Sequence, residues 1–235
     1  NQAQSRADIP LHATFFGRSR FPDGLASIAA FRREGKTVAF AGDVVGTGSS
    51  RKSAVNSLSW LIGADIPHVP NKRSGGIVLG GIIAPIFYAT ARDAGVLPVQ
   101  CDVSRFTTGD ELTLDLQNWT LTGPGGEPIP VERPPITLLD EYRAGGRLNL
   151  IIGRNLTRAA CRALDRPEPA LFREITNPEP APGQAYTLAQ KMIGRACGLE
   201  GVLPGMVCEP RMTTVASQDT TGPMTMQEIA ELACL

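Results

Sequence analysis

Two serines and an arginine stand where a glycine-rich turn leads into a predicted helix. The segment Gly46–Arg51 reads Gly-Thr-Gly-Ser-Ser-Arg. The apolar run 38–45 before it predicts a buried strand, and the run 52–62 after it has helical spacing. Unpaired N–H groups at a helix start hold anions, and an arginine can grip a carboxylate with two parallel hydrogen bonds. The segment therefore predicts a carboxylate-binding turn, with Ser49 or Ser50 able to act on the bound molecule.

A simpler interpretation of the same segment is an ordinary helix cap. Serine is a common N-cap residue, and an arginine in the first turn of a helix is usually solvated. The spacing is not that of a Walker A loop, which needs Gly-Lys-Ser/Thr after four residues. It is also not the Gly-x-Ser-x-Gly elbow of the α/β-hydrolases. The local sequence leaves both interpretations open.

Composition excludes several classes of protein. The chain has 235 residues, of which 42% are hydrophobic, and its 23 Lys+Arg balance its 23 Asp+Glu. The zero net charge argues against a protein built mainly around polyanion binding. The longest apolar stretch, near 77–87, is broken by Gly80, Gly81 and Pro85, so no membrane span is expected. No signal peptide is visible at Asn1, and we expect a cytoplasmic protein.

The cysteines and histidines do not form a recognisable metal or disulfide pattern. The cysteine count is odd, and none is spaced Cys-x-x-Cys: Cys101, Cys161, Cys197, Cys208 and Cys234. We expect free thiols in a reducing compartment and no self-contained zinc or iron–sulfur site. The two histidines, His12 and His68, have no carboxylate or cysteine at ligand spacing.

The order of predicted elements indicates an α/β fold. Residues 25–33 read as a helix, 76–79 and 97–101 as strands, and 84–94 as a helix that Gly95 ends. Such strand–helix repeats favour a parallel sheet with crossover helices.

A different pattern follows the third strand. Residues 111–116 alternate as a half-buried strand, 123–126 form a turn, and 129–133 read as the return strand of an added β-hairpin layer. A short helix is predicted over 138–144.

A proline-rich segment divides the chain. Five prolines between 165 and 183 predict a stiff, extended linker, so we expect a first domain over 1–164 and a linker over 165–185. Residues 186–235 then supply a helix at 187–196, a strand at 212–216 and a last helix near Met226, with Thr225 and Glu228 as its capping box. These few elements cannot enclose a core, so we expect an incomplete α/β piece and a chain that is a fragment.

Three ungapped blocks resemble the bacterial aconitase B family. The block 42–53 and the block 65–73 resemble its swivel domain, and the block 217–225 resembles the start of its first catalytic domain. The three blocks occur in the family's order, with the proline-rich linker between the second and third. The resemblance implies an aconitase-type swivelling β/β/α domain with the hairpin layer added.

The resemblance also implies an activity and roles for particular residues. Family members interconvert citrate and isocitrate through cis-aconitate in the tricarboxylic acid cycle, and members of this branch also process 2-methylisocitrate. Ser49 matches the catalytic base, while Ser50 and Arg51 match groups that bind substrate carboxylate and support that base. Further matches to substrate-contacting residues are Arg6, Gln218, Asp219 and Thr220. Upstream of Arg6, the family's Thr-Asp-Asp-Leu-Ser-Pro motif is absent.

In the family, three cysteines of the other catalytic domains hold a [4Fe–4S] cluster, with one iron left open. Those cysteines lie beyond Leu235, so this chain is expected to hold no metal and to be inactive alone. Cys234 lies in an Ala-Cys-Leu helix end and is not expected to be a ligand.

Two alternatives remain. The first is the small subunit of an isopropylmalate isomerase, which has a similar Gly-Ser-Ser-Arg turn; the linker and Gln218–Thr220 argue against it. The second is an RNA-binding piece, because cluster-free aconitases of the family bind messenger RNA. Neither the net charge nor any aromatic-and-basic repeat supports that alternative.

Overall fold

The computed structural model describes residues 24–48, 51–70, 73–173 and 175–214. The chain divides into two compact units, of which the first ends at Arg173 and the second begins at Glu174. The helices described are α1 (Gly24–Arg33), α2 (Arg51–Ile62), α3 (Pro85–Asp93), α4 (Leu138–Arg143), α5 (Arg147–Ala163) and α6 (Leu188–Ala196). The strands described are β1 (Ala39–Val45), β2 (Ala64–Asp65), β3 (Arg73–Ser74), β4 (Ile77–Ile83), β5 (Leu97–Gln100), β6 (Thr113–Asp115), β7 (Thr120–Thr122) and β8 (Pro128–Ile129).

A parallel sheet organises the first unit. Its strand order is β1-β4-β5, and both pairings are parallel, with Phe40 opposite Val78 and Leu79 opposite Val99. Because parallel neighbours need a crossover, α2 follows β1 and α3 follows β4. The α/β class and the parallel pairing predicted from the sequence are confirmed.

The two faces of the sheet support two hydrophobic clusters. Val78 packs with α2 and α3 in one cluster, whereas the next residue, Leu79, packs with β5 and the antiparallel strands in the other. Adjacent residues of a strand point to opposite faces, so β4 is covered on both sides. This explains why its residues 78–80 are all buried.

The prediction that β1 is a buried strand is wrong. Only Val45 of its seven residues is buried, and Val44 is 55% exposed. The physical reason is its place in the order of the sheet, since among the described residues β1 pairs only with β4. An apolar sequence alone does not distinguish a central strand from an edge strand.

The sequence predicted the return strand over 129–133, but the strand that pairs with β6 comes earlier in the chain, at β7. The β6 strand pairs with β7, and β7 pairs in turn with β8, so the second sheet has three antiparallel strands rather than one hairpin. The side chain of Asp115 accepts hydrogen bonds from the backbone N–H groups of Gln117 and Asn118, at 2.7 and 3.2 Å, and thereby forms the missed turn. Beyond β8, Val131 makes only an isolated bridge to Cys101.

Local signals set the ends of several helices as expected. Gly95, with φ of 72°, follows the last turn of α3, and Gly145 and Gly146 follow α4 with positive φ as well. The sequence analysis did not predict α5, which fills residues 147–163 with a strongly amphipathic helix.

In the second unit, α6 lies where the sequence predicted a helix over 187–196, and Thr187 caps its start. The Thr187 side chain accepts from the Gln190 N–H, and the Gln190 side chain accepts from the Thr187 N–H at 2.8 Å. The strand predicted over 212–216 is wrong for residues 212–214, which form no strand. The remainder of that strand and the helix near Met226 lie outside the described residues.

None of the helices described here is long and apolar enough to cross a membrane.

Candidate functional site

The carboxyl edge of the parallel sheet is where the candidate turn begins. Strand β1 ends at Val45, the turn starts at Gly46, and α2 begins at Arg51. The strand–turn–helix arrangement on which the carboxylate-binding prediction depends is therefore present. In open parallel sheets, ligands bind outside the carboxyl ends of the strands.

A second helix start lies at the same edge. The sequence predicted this helix over 84–94 but not that its start lies beside the end of β1. Helix α3 begins at Pro85, directly after β4, and the Ala84 N–H donates to the Val45 carbonyl at 2.8 Å. The sequence signal for the helix start was Pro85, two residues after the end of β4, at a position that suits the first turn of a helix. Two helix N-termini at one edge place two sets of unpaired N–H groups on the side of the sheet where the turn lies.

Glycine is required at position 46 by packing against α3. Gly46 has φ of 81°, and a Cβ added there would lie 2.2 Å from the Cβ of Phe87. Phe87 is 1% exposed, so it has little room to move. The turn is thus held against the core at its first residue.

We expect Gly46→Ala to lower the free energy of unfolding by about 1–3 kcal/mol, because it adds both overpacking and an unfavourable φ. The matched control is Gly48→Ala, since Gly48 has no positive φ and an added Cβ would meet no atom within 4 Å. The control should stay within about 0.5 kcal/mol of the parent. Urea unfolding followed by tryptophan fluorescence measures both, because Trp60 and Trp119 belong to the first unit. Equal losses in the two variants would contradict this account of the turn.

An open depression of about 570 Å³ lies beside this edge. Its lining comes from β1, β4, the end of β5 and the segment near β8: Asp43, Val44, Gly81, Ile82, Gln100, Cys101, Asp102, Val103, Ser104, Pro130 and Glu132. The lining contains three carboxylates and no Lys or Arg. Hydrogen bonds from Ser104 hold the pKa of Asp102 below its usual value, so this carboxylate stays charged. Such a surface repels an anionic ligand, and the helix-start turn is the better candidate for carboxylate binding.

Cys101 lies in this depression and is poorly suited to react. Burial raises the pKa of its thiol from 9.0 to about 11. The thiolate is the nucleophile, and its fraction at neutral pH is here about 100-fold below that of an ordinary cysteine.

Iodoacetamide at about pH 7.5 should therefore label Cys101 far more slowly than the half-exposed Cys161, as peptide mapping would measure. Labelling of Cys101 at the rate seen in denaturant would contradict the prediction.

Most of the predicted site residues lie outside the described part of the chain. These are Arg6, Ser49, Ser50, Gln218, Asp219 and Thr220. Of Arg51, the structure places the backbone at the first position of α2. The roles assigned to these side chains therefore remain predictions.

The described residues offer no cluster-binding site. Within residues 24–48, 51–70, 73–173 and 175–214, no three His, Cys, Asp or Glu side chains come together as metal ligands. The described cysteines do not fit a [4Fe–4S] cluster, which is held by several thiolates at one place. Cys234 and His12 lie outside the described residues.

Comparison with known proteins places the chain in a clear context. The model of a family described as "Aconitate hydratase 2 N-terminus" matches residues 1–186. Aconitate hydratase B of Synechocystis sp. is 54% identical over 234 residues, which are 99% of this chain and 27% of that protein. Aconitate hydratase B of Escherichia coli is 49% identical over 245 residues, covering 99% of this chain and 28% of that protein. The chain thus spans little more than a quarter of the length of these relatives.

Among solved structures, the 3-isopropylmalate dehydratase (leuD) of Methanocaldococcus jannaschii matches with a TM-score of 0.42 and 21% identity. The match covers 66% of this chain and 90% of that chain. A TM-score this low supports no conclusion about function.

Proposed function

Because this chain belongs to the aconitate hydratase 2 N-terminus family, we propose that it is the substrate-anchoring and base-supplying part of an aconitate hydratase. The full-length protein would interconvert citrate and isocitrate through cis-aconitate, and would also act on 2-methylisocitrate. The observation that carries the proposal is the 54% identity to an aconitate hydratase B along 99% of this chain.

The chemistry of the substrate suits the carboxyl edge of the sheet. Citrate and isocitrate carry three carboxylates, so their site needs several cationic or amide anchors. Arg51 begins a helix at this edge, where N–H groups carry partial positive charge. A guanidinium at this place can hold one carboxylate with two parallel hydrogen bonds.

The proton-transfer step requires the same turn to stabilise a developing negative charge. Removing a proton from the carbon beside a carboxylate moves charge onto that carboxylate. Donors fixed before the reaction, here the helix-start amides and Arg51, stabilise that charge as it develops. We assign the proton acceptor to the Ser49 oxygen, which can serve as a base only as an alkoxide in a closed, dry site.

The cofactor of the proposed enzyme is a [4Fe–4S] cluster held by cysteines elsewhere in the full-length protein. When bound, such a cluster supplies a Lewis acid for the hydroxyl that leaves the substrate. This chain's own contribution is to bind and orient carboxylates and to hold the proton taken from carbon. Arg6, Ser50, Gln218, Asp219 and Thr220 complete the proposed substrate contacts.

We further propose the domain organisation and location expected from the sequence. Residues 1–164 form the swivelling domain with its added β layer, 165–185 the linker, and 186–235 the start of the first catalytic domain. The partners are the remaining catalytic domains of the same protein, and the location is cytoplasmic. A stiff linker suits a domain that closes over its substrate. Closure removes water from the site. No feature of the described residues favours messenger-RNA binding or a free-standing isopropylmalate isomerase subunit.

The test is a substrate comparison with the full-length protein after reconstitution with iron and sulfide. We expect formation of cis-aconitate from citrate and isocitrate, detected by its absorbance, and no turnover of 3-isopropylmalate. The 235-residue chain alone should form no product. Turnover of 3-isopropylmalate in place of citrate, or activity of the chain alone, would contradict the proposal.

A further inference from the structure

Two cysteines of the second unit lie side by side. Cys197 is the C-cap residue of α6, and Cys208 belongs to the segment that returns to this helix end. The two side chains are neighbours, since the Cys208 thiol contributes to raising the pKa of the Cys197 thiol. Both cysteines are free and half-exposed. A solvent-borne oxidant can therefore reach a pair of thiols that already lie side by side.

Backbone hydrogen bonds hold both cysteines in place. The Cys197 N–H donates to the carbonyls of Ile193 and Gly194, at 3.1 and 2.9 Å. One residue before it, the Ala196 carbonyl accepts from the Arg211 N–H at 2.9 Å, which brings the returning segment to the end of the helix.

The backbone of Val207, the residue before Cys208, is held by two hydrogen bonds to one side chain. The Asn177 amide donates to the Val207 carbonyl at 2.9 Å, and the Asn177 side-chain oxygen accepts from the Val207 N–H at 2.9 Å. The backbone beside each cysteine is therefore fixed, and joining the two thiols costs little chain entropy.

The chemistry of the pair favours a redox role over a metal site. Burial and the neighbouring Cys208 thiol raise the pKa of the Cys197 thiol, so Cys197 is the less reactive thiol of the pair and acts in the second step of the oxidation. No third His, Cys, Asp or Glu within the described residues joins them to complete a metal site. Two adjacent thiols without a third ligand are the arrangement from which a disulfide forms.

We propose that Cys197 and Cys208 form a reversible disulfide when the protein meets a hydroperoxide. The peroxide oxidises the Cys208 thiolate to a sulfenic acid and is itself reduced to water. The second thiol then attacks the sulfenic sulfur, the S–S bond forms and a second water leaves. In sum, two thiols and one hydrogen peroxide give one disulfide and two waters.

The bond would close the loop 197–208 and fasten it to the end of α6. Residues 212–220, which contain Gln218–Thr220, follow this loop directly in the sequence. This is the part of the chain to which the proposed function assigns substrate contacts. The disulfide itself does not depend on that function, and its test does not measure turnover.

Peptide mapping of the full-length protein after treatment with hydrogen peroxide tests the proposal. Trypsin places both cysteines in one peptide, 196–211, and a glutamate-specific protease separates them by cutting after Glu200. We expect the tryptic peptide to be lighter by two hydrogen atoms and to resist alkylation. After the glutamate cut, its two parts should stay joined until dithiothreitol is added. Oxidation of Met206 adds oxygen instead and is not reversed by this reagent.

The variants Cys197→Ser and Cys208→Ser should each abolish the cross-link, whereas Cys161→Ser, on the half-exposed face of α5, should retain it. Oxidation in denaturant should reduce its yield, because the contact depends on the fold. Three results would overturn the proposal: both cysteines remaining open to alkylation, both carrying higher oxides without a bond, or pairing of either one with another cysteine. Any of these can occur whether or not the protein turns over citrate, so the two proposals fail separately.

Discussion

Ser49→Ala should lower kcat of the full-length enzyme by about 10²–10⁴-fold, the usual loss for a general base. The carboxylate anchors remain in this variant, so KM should change far less than kcat. That combination marks an interaction used mainly in the transition state. Steady-state kinetics with isocitrate, on protein whose cluster is verified by visible absorbance, measures both constants.

The control for this variant is another serine of the same helix region. Ser53 is exposed on α2, and Ser53→Ala makes the same chemical change without a proposed role. It should keep kcat within about twofold of the parent, because exposed substitutions away from special features have small effects. If Ser49→Ala behaved like this control, Ser49 would be a helix cap and not the base.

Glu141→Ala should lower the free energy of unfolding by about 3–5 kcal/mol, because it leaves a largely buried arginine without its partner. Glu141 is 3% exposed and joins α4 to α3 through Arg92. The guanidinium donates from Nε and Nη2 to the two carboxylate oxygens, at 2.7 and 2.6 Å. The Thr137 hydroxyl donates to the same carboxylate at 2.9 Å. Urea unfolding followed by tryptophan fluorescence measures the loss.

The effect of Glu141 should depend on pH with a defined sign. Burial acts to raise the pKa of Glu141, but the hydrogen bonds from Arg92 and Thr137 outweigh it and hold the pKa below its usual value. The stabilisation is therefore complete above the unfolded pKa of about 4.3, and it is lost as the pH falls through the lower folded pKa. The difference between parent and variant should be constant from neutral pH to about pH 5 and shrink in stronger acid.

A surface ion pair supplies the matched comparison. Glu111 pairs with Lys36 at 3.1 Å, but its side chain is 76% exposed. Glu111→Ala should cost at most about 1 kcal/mol, since solvent screens such a pair. Comparable losses in Glu111→Ala and Glu141→Ala would contradict the assignment of stability to the buried pair.

The sequence predicted those parts of the fold whose signals are local. The end of α3 follows from the backbone freedom of Gly95, and the helix predicted over 187–196 is found in place with Thr187 as its cap. The exposure of β1 could not be predicted in this way, because it depends on which strands pair with it. Helix α5 was missed, although its amphipathic pattern is strong.

The candidate site also combines features that local sequence predicted with features that depend on tertiary contacts. The strand–turn–helix arrangement around Gly46 was predictable from the order of apolar and glycine residues. The approach of the α3 start to the end of β1 was not, because it rests on the long-range hydrogen bond from Ala84 to Val45. The contact between Cys197 and Cys208 likewise arises from tertiary hydrogen bonds around residues distant in sequence.

The most direct test of the central claim is a crystal structure of the full-length protein with a bound tricarboxylate. The account predicts a substrate carboxylate within hydrogen-bonding distance of the Arg51 guanidinium, at the start of α2, with the Ser49 oxygen facing the carbon that loses its proton. A tricarboxylate bound with no atom of residues 48–51 in reach of it would contradict the claim that this chain anchors the substrate.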